Sequence, residues 1–172
     1  AQAAPTDSDK RPPHPGDCAV SRATAALRRA YRDRLTAIVA DDLTSADPIE
    51  HVPTVCRRMT ELADAALDAA LLVARAAVGP QADDVALAVI AMGKTGAREL
   101  NYISDVDVVY VVGPTHEARG AQEPISEERL VEVGTHVATE LAHVVSATAP
   151  EPPLWPLDTA LRPEGKDGAL VR

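Results

Sequence analysis

The sequence contains no phenylalanine, one tryptophan and three tyrosines. Its core must therefore be assembled from alanine, valine and leucine, which suits close-packed helices and thin valine-rich strands. The same poverty of aromatics leaves no row of stacking platforms for nucleic-acid bases. Positive charge is also short, with 17 lysines and arginines against 26 aspartates and glutamates and a net charge of −9 over 172 residues. That balance repels phosphate backbones and anionic membranes, so neither is an expected partner, and a phosphate-bearing ligand would need cations gathered at its site. Only two cysteines occur, Cys18 and Cys56, which argues against a disulfide framework or a thiolate zinc site and suits a cytoplasmic protein. Charges such as Asp64, Asp68 and Arg75 interrupt the Ala-rich stretch, so no apolar run is long enough to cross a bilayer. The first residues do not read as a signal peptide.

What remains is ordinary globular composition, 46% hydrophobic and 25% charged. Residues 1–17 hold Pro5, Pro12, Pro13 and Pro15 with almost nothing to bury, and read as a flexible leader or linker. Leu27, Tyr31, Leu35 and Ile38 recur at helical steps over 21–40. Over 53–78 one stripe runs through Val55, Met59, Leu62, Ala66, Ala70 and Val73, with Leu67, Leu71 and Val78 beside it. The spacing predicts a helix buried on two sides, stopped by Gly79-Pro80. Together these make a helical segment over 18–80. The apolar run 85–92 is of the length and composition expected for a central strand, a glycine-containing turn follows over 93–104, and 106–112 is a second strand. Helical spacing returns over 126–147, with Ser126 as N-cap, and a third short extended segment spans 154–161. The expected class is α/β (α+β), with the chemistry in 81–172.

Asp105 and Asp107 open the second strand. Side chains alternate along a strand, so both carboxylates project to one face about 7 Å apart along the chain. Such a pair alone is usually just solvated. The context is more informative. Gly93 closes the first strand, Gly96 follows, and Lys94 and Arg98 supply positive charge. A glycine at a strand end lets a phosphate approach backbone N–H groups. Two carboxylates on one face can share Mg²⁺, the ion that suits carboxylates plus phosphate oxygens. A strand, a glycine turn and Asp-x-Asp on a neighbouring strand resemble the DNA polymerase β-like nucleotidyltransferases.

The words themselves sharpen the resemblance. Met92-Gly-Lys-Thr-Gly-Ala-Arg-Glu-Leu-Asn-Tyr-Ile-Ser-Asp-Val-Asp-Val-Val-Tyr-Val111 is similar to the signature of the glutamine synthetase adenylyltransferase/adenylyl-removing enzymes, Gly-Met/Tyr-Gly-Lys-x-Gly-Gly-x-Glu-Leu followed by Ser-Asp-x-Asp. Leu157-Asp-Thr-Ala-Leu-Arg-Pro-Glu-Gly165 resembles that family's Val-Asp-x-x-Leu-Arg-Pro-x-Gly. Ala91 and Ala97 stand where the family often has glycine, and Pro156-Leu157 replaces a polar-Val pair. Pro156 removes a ladder donor and points to an edge or very short strand.

The resemblance implies a nucleotidyltransferase fold, a small mixed sheet flanked by helices and preceded by a helical segment. It implies that Asp105, Asp107 and Asp158 hold divalent metal, Mg²⁺, and act in catalysis. Gly93, Lys94 and Ser104 would bind the nucleotide and its phosphates, with Arg98 or Arg162 clamping a phosphoryl oxygen. The implied enzyme is bifunctional: one module removes AMP from a tyrosine of glutamine synthetase with orthophosphate, releasing ADP, and the other adds AMP from ATP. Glu99-Leu-Asn-Tyr102 looks more like the AMP-removing module, since the other more often reads Glu-Leu-Gly-Tyr. The alternatives are the ATP-dependent module and a catalytically silent binding module; retention of all three carboxylates speaks against the second. Glutamine synthetase, ATP or ADP, orthophosphate and a small nitrogen-signalling regulatory protein are the implied partners. The stop at Arg172, directly after the last word, is that expected of a fragment whose catalytic core is truncated.

Two further groups carry less. His136, Glu140 and His143 share a helix face but lack the His-Glu-x-x-His spacing of a zinc site and read as a solvated face. Trp155, among prolines, reads as a packing anchor, and His14, His51 and His116 form no pattern.

Overall fold

The computed structural model describes residues 15–120, 124–162 and 168–172, so most of the leader expected over 1–17 lies outside the described residues. Helix α1, Pro15–Leu43, is longer at both ends than the apolar spacing marks. It takes in Pro15, Gly16 and Asp17, assigned by composition to the leader, and proline is tolerated in a first helical turn. Helix α2, Pro48–Val78, begins five residues before the expected start. The Asp47 side chain accepts from the Glu50 N–H at 3.2 Å and Pro48 pre-sets the first turn. Pro53 therefore lies inside the helix, where it forgoes one backbone bond.

After a 3-10 turn at Pro80–Ala82 come strand β1, Val85–Ala91, a one-turn helix α3, Gly93–Gly96, and strand β2, Val106–Pro114. A second one-turn helix, α4, His116–Arg119, was not foreseen; Thr115 caps it. Helix α5, Glu127–Ser146, starts where expected, with the Ser126 hydroxyl accepting from the Arg129 N–H at 3.2 Å. Strand β3, Leu157–Asp158, is two residues long.

The sheet runs β1-β2-β3, antiparallel between β1 and β2 and parallel between β2 and β3. It is the expected small mixed sheet flanked by helices. Helix α5 packs on one face of it, with α2 behind α5 and α1 against α2. Ala63, Ala66, Ala70 and Ala74 of α2 are buried, and their small side chains let the helices approach closely.

The central-strand expectation for 85–92 fails: β2 is central and β1 lies at the edge. Val85 and Leu87 of β1 are buried while Ala86, Ala88 and Ile90 face outward. The run looked continuous because its outward residues are apolar too. The alternation is one of size, with alanines mainly on the outside, and polarity alone does not reveal it.

Arg28 is fully buried and donates to the carbonyls of Val144 at 3.0 Å, Glu151 at 2.8 Å and His143 at 3.1 Å. It thereby ties α1 to the C-terminal carbonyls of α5. The Glu151 carboxylate binds Arg29 and Arg32, and the hydrogen bond from Arg29 leads in holding its pKa below the usual carboxylate value. Trp155 is the anchor expected of it, buried with its ring 5.1 Å from that of Tyr31. Both cysteines are free. Among the described residues no helix is long and apolar enough to cross a membrane.

Candidate active site

Asp107 lies in β2 with Asp105 one pleat before it, as the period of two requires. The structure then adds what the sequence could only suggest by analogy. In the parallel register of β2 and β3, Asp158 stands directly beside Asp107, and the Val106 N–H donates to the Pro156 carbonyl at 3.0 Å. Pro156 thus contributes its acceptor where it has no donor, and the strand is as short as that proline led one to expect. One carboxylate oxygen each from Asp105, Asp107 and Asp158 lies within 4.8 Å of the others. Asp105 is exposed and the other two are half-buried.

Among the described residues no lysine, arginine or histidine pairs with any of the three. Asp158 accepts the Ala160 N–H at 2.7 Å, a local turn that orients its carboxylate. Three like charges so close repel one another unless a cation offsets them. An all-oxygen donor set suits a hard divalent ion, and a metal–oxygen distance of about 2.1 Å lets one ion bridge oxygens roughly 3–4 Å apart, within small side-chain adjustments of this arrangement. The residues present therefore fit such an ion.

Gly93 is essential to the geometry for a reason its sequence context does not give. Its φ is +52°, and a Cβ there would collide with the Asp107 carboxylate. The Met92 N–H donates to the Asp107 carbonyl at 2.9 Å, so α3 starts directly against this acid. Gly96 is equally constrained, since a Cβ there would sit 2.6 Å from the Ala91 carbonyl oxygen.

Lys94 follows Gly93, and its ammonium donates to the Ser104 hydroxyl at 3.0 Å, beside Asp105. Ser104 in turn donates to Asn101 Oδ1 at 2.8 Å, which also accepts the Ile103 N–H at 3.2 Å. Tyr102 donates to Asp42 at 2.8 Å across to the end of α1; burial first, then Asp42, pushes its pKa up to about 12. Arg98 turns the other way. With φ +61°, it lines a groove against α2 with Val52, Pro53 and Cys56, and its charge acts on Asp64, whose pKa burial nevertheless raises. Arg162 donates to the Gly168 carbonyl at 2.7 Å. Of the basic residues singled out in the sequence, Lys94 is thus the one tied to the border of the carboxylates.

His136 and His143 flank Glu140 at 3.9 and 3.8 Å on an exposed stretch of α5, too far for hydrogen bonds, in keeping with a solvated face. His51 pairs with Asp41 at 3.1 Å. Sequence reasoning used Asn101 only to tell the two modules apart and missed its turn, although an Asn whose side chain reaches the N–H two residues on is a recognisable turn signal.

Residues 11–172 match the sequence profile of glutamate-ammonia ligase adenylyltransferase. The chain belongs to the glutamate-ammonia ligase adenylyltransferase family. Among its relatives are bifunctional glutamine synthetase adenylyltransferase/adenylyl-removing enzymes. That of Bifidobacterium longum (strain DJO10A) is 45% identical over 156 residues, 89% of this chain and 14% of the relative. That of Leifsonia xyli subsp. xyli is 42% identical over 163 residues, 90% of this chain and 16% of the relative. That of Nocardia farcinica is 46% identical over 154 residues, 87% of this chain and 13% of the relative. The chain thus spans about one-seventh of the length of these adenylyltransferases.

Proposed function

We propose that this chain carries a Mg²⁺-dependent nucleotidyl-transfer site acting on an adenylylated tyrosine of glutamine synthetase, within a cytoplasmic enzyme under the control of a nitrogen-signalling regulatory protein. The observation that carries the reading is the β2–β3 register, which sets Asp158 beside Asp107 and gathers three carboxylate oxygens within 4.8 Å. When bound there, a divalent ion would neutralise charge on the phosphoryl oxygens of an in-line displacement.

The residues of the chain do the positioning. Asp105, Asp107 and Asp158 would hold the ion; Gly93 lets α3 approach Asp107, its backbone with Lys94 receives the phosphates, and Ser104 acts through the hydrogen bond it accepts from Lys94. Lys94 supplies at the site positive charge that a chain of net −9 is short of.

For the direction of transfer we favour removal. An oxygen of orthophosphate attacks the phosphorus of tyrosyl-AMP, the bond from phosphorus to the tyrosine oxygen breaks, the tyrosine oxygen takes up the proton lost by the attacking phosphate, and ADP leaves. The Glu99-Leu-Asn-Tyr102 form supports this direction, because Asn101 stands where the AMP-adding modules more often have glycine. The second reading, AMP transfer from ATP, uses the same carboxylates.

The test is to supply the full-length protein with adenylylated glutamine synthetase and orthophosphate, and separately with unmodified glutamine synthetase and ATP, each with and without Mg²⁺. A variant with Asp105→Asn confines the measurement to this site. The reading predicts that the variant loses ADP release and keeps adenylylation. Loss of adenylylation alone would transfer the assignment to the ATP-dependent reaction, and loss of neither would leave a silent binding module.

A further inference from the structure

The hydrogen bonds running from Asn101 to Lys94 use one proton in a way that fixes their direction. The Ser104 hydroxyl has a single proton, and Asn101 Oδ1 takes it at 2.8 Å. The same Oδ1 accepts the Ile103 N–H at 3.2 Å, so the amide oxygen is held in place by the backbone. With its proton committed, Ser104 Oγ presents only lone pairs to its other side, and there the Lys94 ammonium, a donor without acceptor capacity, lies at 3.0 Å. Ser104 adjoins Asp105 and Lys94 adjoins Gly93, which packs against Asp107, so the relay runs along the border of the carboxylates.

We propose that Asn101 is a positioning residue, which fixes the Ser104 hydroxyl as an acceptor and so holds the Lys94 ammonium beside the carboxylates in place for a nucleotide phosphate; this rests on the nucleotidyl-transfer reading above. Without Asn101 the Ser104 hydroxyl loses the partner that fixes its rotamer, and it can swing away from Lys94 and take the acceptor with it. The long, flexible lysine is then drawn by opposite charge onto the aspartates, where it opposes the cation instead of meeting the phosphate. An Asn101 that merely shapes its loop would act through the Ile103 N–H and would need neither Ser104 nor Lys94.

The experiment is a calorimetric titration of the full-length protein with ADP in Mg²⁺, with AMP-transfer kinetics on the same preparations. The variants are Asn101→Ala, Ser104→Ala, Lys94→Ala and the Asn101→Ala/Lys94→Ala pair, each with Asp105–Asp107 intact. Asn101→Ala and Ser104→Ala are each expected to weaken ADP binding about tenfold, the scale of one hydrogen bond to a charged group. The pair should bind no more weakly than Lys94→Ala alone, and Asn101→Asp, which keeps the acceptor, should stay within about threefold of wild type. Ser104→Ala is decisive because it leaves the Asn101–Ile103 turn in place, so it tests the relay even if Asn101→Ala fails to fold. Wild-type ADP affinity in Ser104→Ala, additive losses in the pair, or no ADP binding by the unmodified protein would each overturn the proposal. A binding cycle that behaves as expected in a protein transferring no AMP in either direction would leave the relay standing and remove the functional reading instead.

Discussion

At Gly93 a single missing methyl group separates a carboxylate in place from one displaced. The sequence marks this glycine as unusual by its position at a strand end, and Asp105 and Asp107 as a same-face pair by their spacing. It does not show that the space a side chain would fill at Gly93 is occupied by Asp107, because that contact joins residues fourteen apart through a turn of helix. Gly93→Ala should therefore meet two penalties. The left-handed backbone costs about 1–2 kcal/mol for a residue with a Cβ, and the collision moves Asp107 out of register with its partners, for which a displacement of about 1 Å can cost roughly 100-fold in rate. Gly113→Ala, with nothing within 4 Å of its added Cβ and no positive φ, is the matched control and should remain within about 0.5 kcal/mol of the parent. Thermal melts and AMP-transfer rates on the two variants check this; a Gly93→Ala protein as active as Gly113→Ala would contradict the account of the contact.

Among the elements, hydrophobic spacing located α1, α2 and α5 but not the start of α2, the ends of α1 or their mutual attachment. The start of α2 is set by Asp47 and Pro48, ahead of the first apolar stripe residue, so periodicity alone begins the helix late. The attachment of α1 to α5 rests on Arg28, which in sequence is one of several arginines on a helix otherwise read for its apolar face. Its three acceptors, the carbonyls of His143, Val144 and Glu151, lie more than 100 residues away, and no local pattern announces them. Arg28→Met keeps much of the side-chain volume but leaves those carbonyls without their donor. The expected loss is about 3 kcal/mol, read as a lowered urea midpoint at unchanged slope. Arg28→Lys should recover only part of it, since one ammonium does not reproduce the fork that spans three carbonyls. A midpoint unchanged in Arg28→Met would show that apolar packing alone fixes α1.

Over the whole molecule, the order of helices and strands was legible, and with it the fold class, because each long element carries its own period. The closure of the site was not, since the two-residue β3 is too short to have a period and is placed only by pairing with β2. Val171 continues along the same edge of β2 by bridging to Tyr110, and Val112 donates to the Arg172 carbonyl at 2.7 Å. The resemblance of the word around Asp158 supplied the expectation, and the β2–β3 register supplies the geometry. The most direct test is the Mg²⁺ dependence of AMP transfer to or from glutamine synthetase by full-length protein with Asp158→Asn. The account predicts a loss of at least about 100-fold in the reaction this site carries, since the change removes ligand charge but little packing. The Mg²⁺-free melting temperature should be unchanged or higher, because one of three mutually repelling charges is gone. Both reactions at wild-type rate and with wild-type Mg²⁺ dependence in that variant would contradict it.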